Sequence, residues 1–357
     1  MSNLAFVAYP DQPSIIGDSI DVAVEGCAKG GMIELRPWKK MAVIGLKIDD
    51  LIRLEVDSAD SVAADITYPN FNVYYEIGYT IARGKPVIPL INTAVEGAVD
   101  RVQKLGLFDT IGWVTYNNGD DIVESLRNWR SVGWVNKYIK QRDYSQPLLV
   151  LDTLKKIEFR NQIFRAVNNS DVKFRRFDPS DNPRFTATQA ISEVAASAGV
   201  ILPLLARDIV DGESNNLRVS FLAGLCHGFG IEPLIIQYGN GPAPLDFRDF
   251  ITNSNHRYET EKHVDEYCGI TLIKNQQRTF ADRVGHIGIL DRITLGSPQA
   301  ENETEHLKDY FVKTAEFSRT IRAEAAVVVG RKGSGKTAIS YRAAGHLEEP
   351  DNICVGR

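Results

Sequence analysis

Short apolar runs suited to strands alternate with longer amphipathic stretches, and this alternation passes through the chain twice. LAFVAYP (Leu4 to Pro10) reads as a buried strand, with SIIGDSIDVAVEGCAKG as the helix behind it. MIELRPW, SVAADI, PVIPLIN and IGWVTY continue the strands, and GLKIDDLIRLEVDSAD, NVYYEIGYTIARG and DDIVESLRNWR are among the helices between and after them. The first series closes near Val132. A second starts at PLLVLDT and continues through the strands VKFRRFD, VILPLLA and PLIIQYG, separated by helical stretches. Strands spaced by helices in this way predict parallel sheets covered on both faces.

The two series align with each other. Asn70 to Gly78 (NFNVYYEIG) matches Asn216 to Gly224 (NLRVSFLAG), and YTIARGKPVIPL then matches LCHGFGIEPLII. The spacing predicts a tandem duplication of one α/β domain. In this register Leu222 stands where Glu76 stands, so only the first copy carries the acid. The expected division is 1–145 for the first copy, 146–253 for the second, 254–324 for a helical linker and 325–357 for the start of a further domain. A length of 357 residues leaves room for two or three domains.

Composition narrows the partners. A net charge of −5 and a pI near 5.8 give no indication of a nucleic-acid binder. The basic cluster at Lys173 to Arg176 reads as a solvated strand end. Four scattered cysteines, Cys27, Cys226, Cys268 and Cys354, have neither zinc-site nor disulfide-framework spacing and fit a reducing compartment. MSNLAFVAYPDQ lacks the pattern of a signal peptide, and the apolar stretch AASAGVILPLLA is too short to span a bilayer. The expectation is a cytoplasmic protein with no membrane partner.

Two motifs carry chemistry. Gly330-Arg-Lys-Gly-Ser-Gly-Lys-Thr337 fits G-x-x-x-x-G-K-[ST], after the apolar run AAVVV and before a helical one. Backbone N–H groups around Gly330, Gly333 and Gly335 would wrap phosphates, Lys336 would reach the outer ones, and Thr337 would help hold Mg²⁺. ATP and Mg²⁺ are the ligands expected there in a complete domain. Only 20 residues follow Thr337, so the expected reading is the start of a P-loop NTPase domain in a truncated chain, without hydrolysis of its own.

The second motif surrounds Glu76, the only ionisable carboxylate between Asn70 and Ala82, flanked by Tyr74, Tyr75 and Tyr79. Asp65 and Thr67 fall at the carboxyl end of a strand, where open parallel sheets bind ligands. Asn70 is a plausible N-cap, and Asn72 and Glu76, spaced i, i+4, share one helix face. Gly78 inside the helix points to a close backbone approach. A carboxylate in these surroundings can have a raised pKa and act as nucleophile or general acid/base. The bland alternative is a solvated Glu76 that pairs with Arg83.

The string ADSVAADITYPNFNVYYEIGYTIARGKPVIPL resembles a segment of nucleoside 2-deoxyribosyltransferases and related TIR-like nucleotide-binding domains. That resemblance covers about residues 4–131, and more weakly the second copy. It implies two tandem flavodoxin-like, doubly wound parallel-sheet domains and cleavage of an N-glycosidic bond in NAD or a (deoxy)nucleotide. It places Glu76 at the catalytic glutamate and Tyr9, Pro10 and Tyr75 in the pocket walls, with Asp65, Thr67, Asn70 and Asn72 around ribose and phosphate. No cofactor or metal is expected for this chemistry. Asn70 falls where many deoxyribosyltransferases have an acid, which puts ordinary base exchange in doubt and favours hydrolysis or a TIR-type reaction on NAD. VVVGRKGSGKTAI is also similar to the start of P-loop ATPase domains behind effector domains of bacterial defence proteins. This implies an oligomeric antiphage effector under ATPase control, or, alternatively, a non-catalytic nucleotide-sensing module that regulates the ATPase.

Overall fold

The computed structural model describes residues 3–283, save 32, 42–44, 46, 128, 130–132, 180–185 and 240, together with part of residues 312–344. Residues 1–283 form one compact unit and residues 284–357 a second.

The larger unit contains two five-stranded parallel sheets. In the first, β1 (Asn3–Ala8), β2 (Ile33–Pro37), β3 (Ser61–Asp65), β4 (Val87–Asn92) and β5 (Val114–Tyr116) lie in the order β2-β1-β3-β4-β5. The helices are α1 (Ser14–Gly30), α2 (Ile48–Ser58), α3 (Phe71–Ala82), α4 (Ala98–Leu105) and α5 (Gly119–Arg127). The second sheet has β6 (Leu148–Leu151), β7 (Phe174–Phe177), β8 (Gly199–Leu204), β9 (Leu234–Tyr238) and β10 (Ile251–Ser254), in the order β7-β6-β8-β9-β10. Its helices are α6 (Glu158–Asn169), α7 (Ala187–Ala195), α8 (Gly212–Gly228) and α9 (Arg257–Arg283), and a 3₁₀ turn spans Leu245–Phe250. The two orders coincide strand for strand, as a duplicated doubly wound domain requires.

Strand alternation divides the first half into two apolar layers. Ala5, Val7 and Tyr9 of the β1 segment pack with Ile16, Ile20 and Ile122 of α1 and α5. Phe6 and Ala8 face the other way, into a core shared with α2, α3 and the second half. That shared core centres on the crossing of α3 and α8. A Cβ added to Gly78 would strike the carbonyl of Phe221 and stand 3.0 Å from the Leu225 nitrogen. One added to Gly224 would strike the carbonyl of Tyr75 and stand 2.8 Å from the Tyr79 nitrogen. Phe221 and Leu225 are the repeat equivalents of Tyr75 and Tyr79, so the contact is reciprocal, like the self-complementary interface of a two-fold dimer. The close approach expected at Gly78 is therefore a helix–helix crossing.

Helix α9 falls where the sequence suggested a linker, and it packs on the second sheet. The Tyr267 hydroxyl accepts from the Val200 N–H and donates to the Glu232 carbonyl. Thr271 lies against Gly199, and α9 lies along α6 as α5 lies along α1. The Lys173 to Arg176 cluster is also tied down. Arg175 pairs with Glu193, and Arg176 with Asp152 and Asp178.

Within the smaller unit the described helices are α10 (Ala315–Ile321), capped by the Thr314 hydroxyl, and α11 (Lys336–Ala344). The helical stretch expected over 301–324 and the strand expected at AAVVV lie largely outside the described residues. Val327 and Val329 within them are exposed.

Candidate active site

Helix α3 starts at Asn70, whose side-chain oxygen accepts from the N–H groups of Asn72 (3.0 Å) and Val73 (3.1 Å). This N-cap satisfies two of the donors that a helix start leaves free. It occupies Asn70 with structure, at the position where the resemblance suggested a hydrogen-bonding role toward ligand. From this fixed start, Asn72, Tyr75 and Glu76 project toward the Leu245–Phe250 turn of the second half. The Asp246 N–H lies 3.5 Å from Asn72 Oδ1. Phe247, fully buried, stacks on Tyr75 with ring centroids 5.4 Å apart.

Glu76 is 5% exposed, and the bland reading of a solvated helix charge does not hold. Arg83, the partner that reading needed, pairs with Asp57 at 2.9 Å. Instead the Glu76 carboxyl meets that of Asp246, which is 1% exposed. Neither Asp246 oxygen has an ordinary donor, so the two acids can hydrogen-bond only by holding a proton between them. Burial pushes Glu76 well above the usual carboxylate range, and the neighbouring Asp246 charge adds to it. Burial likewise raises Asp246, to about 7, partly relieved by the hydrogen bond from Glu76. Such a pair titrates as a unit.

The surrounding groups complete a polar cluster across the two halves. Asp49 on α2 is bound by Arg53 (2.8 Å) and Lys47 (3.0 Å), and Lys47 also reaches Asp249 (2.9 Å). The Arg53 guanidinium lies 5.5 Å from the Phe250 ring centre. The Tyr75 hydroxyl and His227 Nδ1 are 2.7 Å apart, and His227 Nε2 is buried without a partner. Burial, with Arg53 nearby, lowers His227 to about 4, so the ring is neutral at physiological pH.

The other expected residues gather elsewhere on the same half. Asp65, fully buried, accepts from the Thr67 N–H and hydroxyl (3.1 Å each) and from the Tyr116 hydroxyl (2.7 Å). Burial raises it to about 6 against the pull of those three bonds. The Thr67 hydroxyl in turn accepts from the Asn92 N–H at 2.8 Å, which ties together the carboxyl ends of β3, β4 and β5. Tyr9 packs on Trp38, whose indole N–H donates to the Tyr9 carbonyl at 2.9 Å, and Pro10 beside it is buried. Asp65 and Tyr9 stand at the sheet's carboxyl edge on the α1–α5 side, whereas Glu76 stands on the α3 side. The structure thus unites Asn72, Tyr75 and Glu76, and holds Asp65 with Thr67 in one network and Tyr9 with Trp38 in another.

Asp246 was not anticipated from sequence. A signal for it was present: PLDF carries an acid between apolar residues, as VYYEIG does around Glu76. At the P-loop motif, α11 begins at Lys336 and so includes Thr337. Gly335 has φ of +81°, and Lys336 Nζ donates to the Arg331 carbonyl at 2.9 Å. Gly330 and Gly333 lie outside the described residues.

No family model matches the chain. It is 33% identical over 75 residues to the "Putative 2'-deoxynucleoside 5'-phosphate N-hydrolase 1" of Thermofilum pendens (strain DSM 2475 / Hrk 5). The match takes in 21% of this chain and 52% of that protein, about half its length. Among solved structures, an "ABC transporter, LacI family transcriptional regulator from Brachyspira murdochii" aligns over 76% of this chain and 89% of its own. Its identity is 11% and its TM-score 0.18, a likeness that carries no argument. Part of this chain is therefore similar in sequence to the Thermofilum pendens protein, and this chain carries two parallel sheets flanked by helices. Among the described residues no helix is long and apolar enough to cross a membrane.

Proposed function

We propose that the first half cleaves the N-glycosidic bond of a nucleotide, with Glu76 as the reacting carboxyl. The observation that carries this reading is the burial of Glu76 against a second acid, at a helix position where the duplicate half has Leu222. A leucine serves the fold there, and two buried acids cost stability, so the pair is better explained by chemistry than by packing. N-glycoside cleavage builds positive charge on the sugar, and a carboxylate beside it stabilises that charge. The partial similarity to an N-hydrolase of deoxynucleoside 5'-phosphates supports the same bond class and favours a deoxynucleotide, with NAD the second candidate. Because Glu76 is 5% exposed, a ligand reaches its carboxyl when the Leu245–Phe250 turn moves aside. Asn72 and Tyr75 then border the opening. This chemistry calls for no metal or cofactor. In this reading the P-loop segment begins an ATPase domain that holds ATP and Mg²⁺ and controls an oligomeric effector in antiphage defence.

The test is incubation with deoxynucleoside monophosphates and with NAD, followed by chromatography of the products. Free base should be released by the natural protein, and at least 100-fold more slowly by Glu76→Gln, given the weight of a single reacting group. Equal release by both proteins, or none by either, would refute the assignment.

A second reading, a nucleotide sensor, is favoured by one observation. A cavity of about 500 Å³ opens at the carboxyl ends of β8 and β9, lined by Ile157, Phe159, Leu205, Asp208, Ile209 and Tyr238. It lies by the crevice where strand order reverses in the second half. Binding of the same nucleotides there, unaffected by Glu76→Gln and lost in Tyr238→Ala, would support it.

A further inference from the structure

The repeat shows what occupies the place of the acid pair in the other half. In each half, the connection between the fourth and fifth strands reaches across to the opposite half's central helix. Phe247 stacks on Tyr75 of α3, and Phe108 packs edge-on against Phe221 of α8 at 6.2 Å. Tyr75 and Phe221 are repeat equivalents, so Phe247 and Phe108 are counterparts. The residues just before them are Asp246 and Leu107. The pair Glu76 and Asp246 therefore corresponds to Leu222 and Leu107, which are 1% and 0% exposed and belong to the shared core. One half of a near-symmetric interface is apolar at this point, and the other carries two acids. The counterpart site packs with leucine at both positions, and the two acids come from different halves.

We propose that Asp246 is the proton partner of Glu76: a positioning residue that retains one proton in the pair and so sets the pH at which Glu76 becomes a charged carboxylate. The catalytic unit is then the duplicated pair of domains, with the second, acid-free helix kept because its half supplies Asp246. This inference rests on the reading of Glu76 as the reacting group. The charged and titratable groups around the pair are Asp49 and Arg53 from α2, Tyr75 from α3 and His227 from α8. Asp49 and Arg53 are bound to each other and largely offset one another. His227, lowered to about 4, gains its proton on unfolding, and Asp65, raised to about 6, retains one in the fold, so the share of the pair is read as the difference between the natural protein and variants of the two acids.

Stability against pH reads that share. The folded pair holds a proton that the unfolded chain releases in the ordinary carboxylate range, so the contribution of the pair to stability is greatest below that range and falls as pH rises toward about 7, the value for Asp246. One retained proton makes the folding equilibrium constant fall about tenfold per pH unit within the window. Chemical denaturation between pH 4.5 and 8 (roughly spanning that window) should show this dependence as a difference between the natural protein and variants of the pair. In Asp246→Asn and in Glu76→Gln stability should fall with pH less steeply than in the natural protein, by about tenfold less in the folding constant per pH unit, because burial still raises the acid that remains. The double variant Glu76→Leu/Asp246→Leu, which copies the other half, should be the most stable of the set at pH 8 and keeps the test open if a single variant folds poorly. A decline as steep in Asp246→Asn as in the natural protein would overturn the proposal.

The pH profile of base release is the second readout. Removing the Asp246 charge lets Glu76 ionise more readily, so the acid limb of kcat/KM should move down by about one pH unit or more in Asp246→Asn. An unmoved limb in an active variant overturns the proposal even if stability behaves as expected. If stability shows the shared proton and no nucleotide is cleaved by the natural protein, the glycosidase reading fails while the proton pairing stands.

Discussion

At the scale of single residues, the larger unit buries carboxylates under opposite electrostatic regimes. Asp152, at the end of β6, is fully buried like Asp246. Burial pushes it up, but this is outweighed by Arg160, which grips both oxygens at 2.7 Å, and by Lys156 at 3.1 Å, so Asp152 sits below the usual carboxylate range. Arg176 adds a further contact at 2.7 Å. With its folded value depressed, Asp152 contributes stability that is present above the ordinary carboxylate range and is lost as pH falls through its folded value. The Glu76–Asp246 pair does the reverse, losing stability as pH rises. Asp152→Asn should therefore weaken the fold at pH 7 by about 2 kcal/mol, below the full cost of breaking a buried pair because Lys156 and Arg176 can rehydrate. It should also flatten the acid side of the stability profile. Urea denaturation at pH 4 and pH 7 checks both, and a variant as stable as the natural protein at pH 7 contradicts the assignment. Glu76 was legible in the sequence because a lone acid among tyrosines is a local anomaly. Asp246 was not, because its significance depends on α3, more than 160 positions away along the chain.

At the scale of elements, the close approach at Gly78 was legible in the sequence, and its partner, the equivalent helix of the other half, was not. Aligning NFNVYYEIG with NLRVSFLAG placed Gly78 and Gly224 in register, and the structure seats each against backbone of the opposite helix. Alanine in place of either glycine would gain about 1 kcal/mol of helix propensity. The added methyl would meet a carbonyl belonging to a helix, which cannot retreat as a side chain could. Overpacking costs about 1–3 kcal/mol and more where backbone must move, so the clash wins. Gly78→Ala and Gly224→Ala should each destabilise the protein by about 2 kcal/mol net, and by similar amounts because the contacts are reciprocal. Thermal denaturation of the two variants measures this, and a stabilised variant would show that the helices sit farther apart. The expected pocket was less legible for a related reason. Asp65, Tyr9 and Glu76 fall close together in a strand–helix reading, but strand alternation turns Asp65 and Tyr9 toward α1 and α5, while Glu76 rides on the other face.

At the scale of the whole larger unit, the double series of strands and helices was readable because parallel strands buried on both faces leave continuous apolar runs. The last helix of the second half was not, because α9 is long and mostly polar, and its packing side shows only in contacts such as Tyr267 and Thr271 against β8. What no local pattern announced is how far each half covers the central helix of the other. From Val73 to Ile81 every residue of α3 is buried, and α8 is buried from Asn215 to Cys226. Separated, each half would expose an apolar helix face that the other now covers, a surface larger than monomers ordinarily leave open. Because the crossing is reciprocal, an isolated half retains a self-complementary face. Residues 1–145 and 146–283, expressed apart, should each self-associate, and on mixing should exchange into a one-to-one complex. That exchange is favoured because in a homodimer each buried acid would face a leucine, Glu76 against Leu107 or Asp246 against Leu222, with no partner to share its proton. Sedimentation of the separate and mixed fragments measures both steps. Two fragments that stay monomeric and folded when apart would show that the halves are independent domains joined only by the chain.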